Sequence, residues 1–205
     1  MKRIFVTGIS TEVGKTVAAA IITEALQADY WKPIQAGDLH DSDSLKVESL
    51  ISNGKTVIHP NAYALHTPIS PHASAAIDGV EIQLDRIREP ETKNHLVIEG
   101  AGGLLVPLND RDTMLDLIQP HYTVVLVSRH YLGSINHTLL SLELLKRAGL
   151  SAWLLFSGDE IPGTEEIILK KTDAPLLGRI AEEKEFERRR VMEYAKIFAP
   201  ALKSI

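Results

Sequence analysis

The sequence predicts an α/β fold of three layers, a doubly wound and mostly parallel sheet with helices on both faces. Three observations predict it. Short β-branched runs alternate with longer helical ones along the chain. Several runs are apolar at consecutive positions, as in Val124-Val125-Leu126-Val127, which is the habit of strands covered on both sides. The first strand also runs through a glycine-flanked loop straight into a helix, which places a ligand site at the carboxyl ends of the strands.

Taken in order, the candidate strands are residues 4–7, 30–34, 95–99, 124–128, 153–157 and 176–180. After Lys15, the residues Ala18, Ile21, Ile22, Ala25 and Leu26 fall on one helical stripe. After Asp43, Val47, Leu50 and Ile51 do the same, with Ser42 or Asp43 as the N-cap. Residues 138–148 read as a Leu-rich helix stopped by Gly149. Residues 164–172 form a short amphipathic helix that Pro175 prevents from continuing. The charged stretch 182–190 reads as a solvated surface helix.

Composition narrows the function classes. A chain of 205 residues without repeats or linkers reads as one domain spanning 1–205. Lys plus Arg is 22 and Asp plus Glu is 27, a net charge of −5 that disfavours nucleic acid and anionic membrane as partners. There is no cysteine, so disulfides, thiolate–metal sites and thiol catalysis are excluded. The longest apolar run, residues 17–22, is far short of the roughly 20 residues of a membrane span. Met1-Lys2-Arg3 leads directly into a strand pattern, so a cytoplasmic protein is expected.

The strongest chemical signal is Gly8-Ile9-Ser10-Thr11-Glu12-Val13-Gly14-Lys15-Thr16, between a strand and a helix. Gly14 lets the backbone curl close to an oxyanion, and the helix start aims free N–H groups at it. Lys15 reaches phosphate oxygens, and the Thr16 hydroxyl is placed for Mg2+. This is the phosphate-loop pattern of P-loop nucleoside triphosphatases, in variant form: five residues separate the glycines, and Ile9 stands where the first glycine is usual.

Two carboxylates are candidates for the metal side. Glu99 ends an apolar strand and leads into Gly100-Ala101-Gly102-Gly103, which puts its carboxylate at the sheet edge. Asp43 is open to two readings, an N-cap or a metal ligand. Lys32 lies in the apolar stretch Trp31-Lys32-Pro33-Ile34. Burying an ammonium there is costly unless it meets an anion, either a structural carboxylate or a phosphate.

Together with Ser42-Asp43, Pro68-Ile69-Ser70-Pro71-His72, Leu132-Gly133-Ser134-Ile135-Asn136-His137 and Pro175-Leu176-Leu177-Gly178, these motifs resemble the dethiobiotin synthetase family. The match spans roughly residues 4–178. The resemblance implies an ATP-dependent carboxylation and ring closure on 7,8-diaminononanoate, with CO2, MgATP and a homodimer. It implies nucleotide contacts at Glu12, Val13, Gly14, Lys15, Thr16 and Val17, and at Glu99, Gly100, Ala101 and Gly102. It places the magnesium ligands at Thr16, Asp43 and Glu99. Lys32, Lys15 and Thr11 take the catalytic roles. Substrate contacts fall on Thr11, Lys32, Ala36 and Pro71, and the substrate's far carboxylate falls on Gly133, Ser134, Ile135 and Asn136 of the other subunit. A helix N-terminus at that last position suits an anion.

The sequence departs from the family at four points. Ala36 stands where Ser or Thr is usual, and Ser10 where Asp is common. An adenine-reading Asn is replaced within Ser157-Gly158-Asp159, and a later Pro within Ile180-Ala181. A site without the bidentate amide is expected to choose among bases weakly, through backbone and residues 182–187. The competing class is a ParA/MinD-like switch ATPase, which would carry a second lysine where Ser10 stands. Other amide-forming P-loop enzymes and a purely regulatory nucleotide binder are further alternatives.

Overall fold

The computed structural model describes residues 1–205. In chain order the elements are β1 (Arg3–Gly8), α1 (Lys15–Leu26), β2 (Asp29–Trp31), β3 (Ile34–Ala36), α2 (Asp43–Leu50), β4 (Ile58–His59), β5 (Tyr63–Leu65), α3 (Pro71–Ile77), β6 (Leu96–Gly103), β7 (Thr123–Arg129), α4 (Ser134–Arg147), β8 (Ala152–Ser157), α5 (Pro162–Lys171), β9 (Leu176–Ile180) and α6 (Arg188–Ser204). Seven strands form one sheet in the order β4-β2-β6-β1-β7-β8-β9, with every neighbouring pair parallel. β3 and β5 pair separately, also in parallel. This is the doubly wound fold of P-loop nucleoside triphosphatases.

Side chains of β1 alternate between two cores, as strand geometry requires. Ile4 and Val6 join the cluster packed by α1, α2 and α6, which includes Ile21, Val47 and Phe198. Phe5 joins the opposite cluster, with Trp31, Ile98 and Tyr122. β1 is thus covered on both faces and lies between β6 and β7, at the point where the winding reverses. Its carboxyl end opens into the phosphate loop. No helix is long and apolar enough to cross a membrane.

Three predicted elements differ. The strand expected at 30–34 is split, with β2 in the large sheet and β3 in the small one. Pro33 is the reason: it has no N–H for a ladder, and its carbonyl instead accepts from Ala62 and Tyr63. The Leu-rich helix begins at Ser134, one turn earlier than the expected 138. The helix expected at 182–190 is α6, which starts only at Arg188 and runs to Ser204. Residues 182–187 form a loop instead, because tertiary partners take their groups. Glu182 N–H donates to Asp159, and its carboxylate meets Arg129. The stripe that holds α6 in the core is Val191, Ala195, Phe198 and Leu202, beyond the charged run.

Candidate active site

Sheet register assembles the site. β6 sits between β1 and β2, with Val6 opposite Glu99 on one side and Trp31 opposite Ile98 on the other. Lys32, the next residue after Trp31, therefore falls level with Glu99. The phosphate loop emerges on the other side of Glu99. Three segments far apart in sequence meet at one sheet edge.

The loop is shaped by two left-handed residues, Glu12 at φ 55° and Gly14 at φ 92°. The φ of Gly14 is one that side-chain-bearing residues rarely adopt, and a Cβ there would also stand 2.8 Å from the Ser157 hydroxyl. Lys15 is buried and folds back over the loop, donating from Nζ to the Ser10 carbonyl at 2.9 Å. Burial lowers its pKa to about 8, with the Lys32 charge adding to the fall and Glu99 opposing it.

Lys32 is held by two carboxylates. Its Nζ lies 3.1 Å from Glu99 Oε1 and also contacts Asp43 Oδ2. Burial pulls its pKa down, but the charges of Glu99 and Asp43 outweigh that and raise it above the usual lysine value. Asp43 is lowered in turn, because the Lys32 charge overcomes its own desolvation. Ser42 is the N-cap of α2, accepting from Leu45 N–H, so Asp43 is released from capping and its carboxylate turns to Lys32. Glu99 also accepts from Thr16 Oγ1 at 2.9 Å and from Tyr30 OH at 2.8 Å. The Tyr30 hydroxyl is fully buried, and desolvation next to Glu99 raises its pKa far above the ordinary phenol value.

Lys15, Thr16, Lys32, Asp43 and Glu99 line one cavity of about 760 Å³ that runs over the carboxyl ends of the strands. Of the residues singled out from sequence, Thr11, Glu12, Gly14, Lys15, Thr16, Val17, Lys32, Ala36, Asp43, Pro71, Glu99, Ala101 and Gly102 border it. Val13 turns into the core, and Gly100 packs against the Phe5 ring. Gly133, Ser134, Ile135 and Asn136 lie outside it, at the start of α4. Gly133 occupies the N-cap position at φ 103°, and no side chain caps that helix. His72 is exposed and does not border the cavity.

Sequence reasoning assigned no role to Tyr30, Gln35, Lys46 or Arg129, whereas Phe186 lies in the 182–187 stretch expected near the base. Lys46 follows Asp43 at helical spacing, and Arg129 ends an apolar strand just as Lys32 does, so both carried a signal. Tyr30 carried none, because a tyrosine in a strand is ordinary core material. Also lining the cavity are Ser157, Phe186 and Arg129, whose Nη2 donates to both carboxylate oxygens of Glu182 at 3.0 Å.

The donor set toward a divalent cation is all oxygen: the Thr16 hydroxyl and the Asp43 and Glu99 carboxylates. No cluster of three or more His, Cys, Asp and Glu forms a closed cage. That set fits Mg2+, which keeps water and substrate phosphates among its ligands.

A family profile described as an AAA domain matches residues 2–190. An ATP-dependent dethiobiotin synthetase of Christiangramia forsetii is 57% identical over 202 residues, covering 98% of each chain. One from Cytophaga hutchinsonii is 50% identical, covering 97% of this chain and 98% of its own. Among solved structures, a plasmid partition protein of Borrelia burgdorferi aligns with TM-score 0.64 at 17% identity, over 100% of this chain and 99% of its own. A ParA family ATPase of Chlorobium tepidum aligns with TM-score 0.58 at 14% identity, over 95% and 98%. At such identities the last two share the fold alone.

Proposed function

Since the chain belongs to the ATP-dependent dethiobiotin synthetase family, we propose that its cavity holds ATP by the phosphates against 7,8-diaminononanoate. The diamine is carboxylated with CO2 and closed to a cyclic urea in biotin biosynthesis. The observation that carries this reading is the buried Lys32, held by two carboxylates beside a phosphate loop. A switch ATPase needs no such charge on the substrate side.

One substrate amine, unprotonated, adds to CO2 and releases a proton, giving a carbamate. A carbamate oxygen attacks the γ-phosphorus, and the bond to ADP breaks. The second amine then attacks the carbonyl of the mixed anhydride, closing the ring as phosphate leaves. Lys15 and Lys32 offset charge on the transferring phosphoryl group. Thr11 orients the carbamate, and Ala36 and Pro71 form the wall along the carbon chain. Thr16, Asp43 and Glu99 are the residues that would hold Mg2+, which neutralises phosphate oxygens when bound. The protein's share is positioning and electrostatics, with no covalent enzyme intermediate.

The substrate's far carboxylate docks on the uncapped N-terminus of α4, residues 133–136, of a second copy in a homodimer. The exposed Leu105, Leu132, Ile135 and Leu140 around that helix support such a contact. The enzyme acts in the cytoplasm as one nucleotide-binding unit spanning 1–205.

Phosphate release from ATP, measured with and without diaminononanoate and bicarbonate, tests the reading. The expected result is release only when both are present. Full-rate release without the diamine would instead identify a switch ATPase.

A further inference from the structure

Gln35 is buried, borders the cavity, and touches neither of the lysines. Its side-chain amide works in both directions. Oε1 accepts the backbone N–H of Asp43 at 3.2 Å, and Nε2 donates to the Gly37 carbonyl at 3.0 Å. We propose that Gln35 is a positioning residue: its amide ties the start of α2, which carries Asp43, to the exit of β3, which carries the substrate-side wall.

Each arm satisfies a backbone group that the neighbouring contacts leave open: Lys32 holds the Asp43 carboxylate but not its N–H, and the Leu65 carbonyl takes the Gly37 N–H but leaves the Gly37 carbonyl free. Asp43 is the first residue of α2, and an N–H in the first turn has no partner within its helix. Gln35 takes that N–H and so fixes the orientation of the helix start. Gly37 stands at φ 77°, and a Cβ there would lie 2.4 Å from Pro68. The β3 exit is therefore pressed against Pro68, whose segment continues to Pro71 along the cavity. Only a neutral amide supplies an acceptor and a donor together at this length. Gln35 thus links the backbone of the metal-side helix start directly to the backbone of the substrate wall. A misplacement of about 1 Å between reacting groups costs on the order of 10²-fold in rate.

This inference rests on Asp43 as a metal-side group, as read above. The test measures ADP binding by calorimetry, with Mg2+ and with EDTA, alongside the KM for the diamine. Gln35→Met keeps the size and removes both bonds. ADP affinity in EDTA should stay within about twofold of wild type, because the phosphate loop is untouched. The tightening by Mg2+ should fall about tenfold, and the diamine KM should rise. Gln35→Glu keeps the acceptor for the Asp43 N–H and loses the donor to Gly37. It should retain the Mg2+ tightening within about threefold while still raising the diamine KM. Asp43→Asn separates the two ideas. If it loses the Mg2+ tightening while Gln35→Met keeps both that tightening and the wild-type KM, the positioning role is wrong and the site reading stands. If Asp43→Asn keeps the tightening, the site reading itself fails. A fall in kcat alone in either Gln35 variant, with Mg2+ tightening and KM unchanged, would mark a structural role and overturn the proposal.

Discussion

Lys32 and Glu99 form a buried ion pair across neighbouring strands, 3.1 Å apart, with side chains 5% and 0% exposed. Asp43 completes it from a helix start. Two buried carboxylates around one ammonium keep that ammonium charged, which is the state needed beside a transferring phosphoryl group. The same arrangement makes the lysine structural, and that role is separable by measurement from the catalytic one proposed for it.

Lys32→Gln and Lys15→Gln should each lower turnover by about 10²-fold or more, equivalent to losing a charged donor worth about 3 kcal/mol. Lys32→Gln should also destabilise the ligand-free protein by about 3 kcal/mol, because Glu99 and Asp43 are left facing each other without a cation. Urea titration reads the second effect and steady-state kinetics the first. Near-normal turnover in the folded Lys32→Gln protein would remove the catalytic role.

Tyr30→Phe removes one of the hydrogen bonds to the buried Glu99 carboxylate while keeping the ring in the core. The expected cost is about 2 kcal/mol of folding stability, since a charged acceptor loses its partner away from water. Thermal or urea unfolding that matches wild type would show the bond to be dispensable.

Lys15 has a pKa of about 8 in the ligand-free protein. A bound phosphate chain favours the ammonium and raises that value, so binding above pH 8 must take up a proton. Nucleotide affinity should be insensitive to this group well below pH 8. Above it, affinity should fall by about tenfold per pH unit until the bound-state pKa is reached. Calorimetry in buffers of different ionisation enthalpy counts the proton: uptake near one at pH 9 is expected, and none at pH 9 would contradict it.

In the proposed nucleotide pose the base lies by Ser157, the Arg129–Glu182 pair and Phe186, which line the cavity and include no bidentate amide. ATP, GTP and CTP should therefore support comparable kcat/KM. An ATP preference beyond about 10³-fold would require a reader not present among these side chains.

How far the sequence was legible follows the range of each interaction. Gly14, Lys15 and Thr16 were readable because loop and helix start are contiguous, so the chemistry is written in consecutive residues. Lys32 and Glu99 were readable as charges at the ends of apolar strands, where burial without a partner is too costly to be accidental. Their pairing was not, because it depends on β6 lying between β1 and β2. The charged run at 182–190 does not by itself distinguish a surface helix from a tertiary-bonded loop, because the two have the same composition. The spacing of Val191, Ala195, Phe198 and Leu202 was the better guide to α6, with Pro200 obscuring it.

By itself the sequence determined the phosphate loop, the alternating α/β pattern and the charged residues that a nucleotide site needs, since those follow from local geometry and the cost of burying charge. The tertiary structure alone decided that Asp43 faces Lys32 rather than capping its helix, that Tyr30 and Gln35 brace the site, and that α4 begins away from the cavity. Those outcomes depend on strand order and register. Contacts between residues some 70 positions apart, as between Tyr30 and Glu99, form only after the sheet has brought them to the same edge.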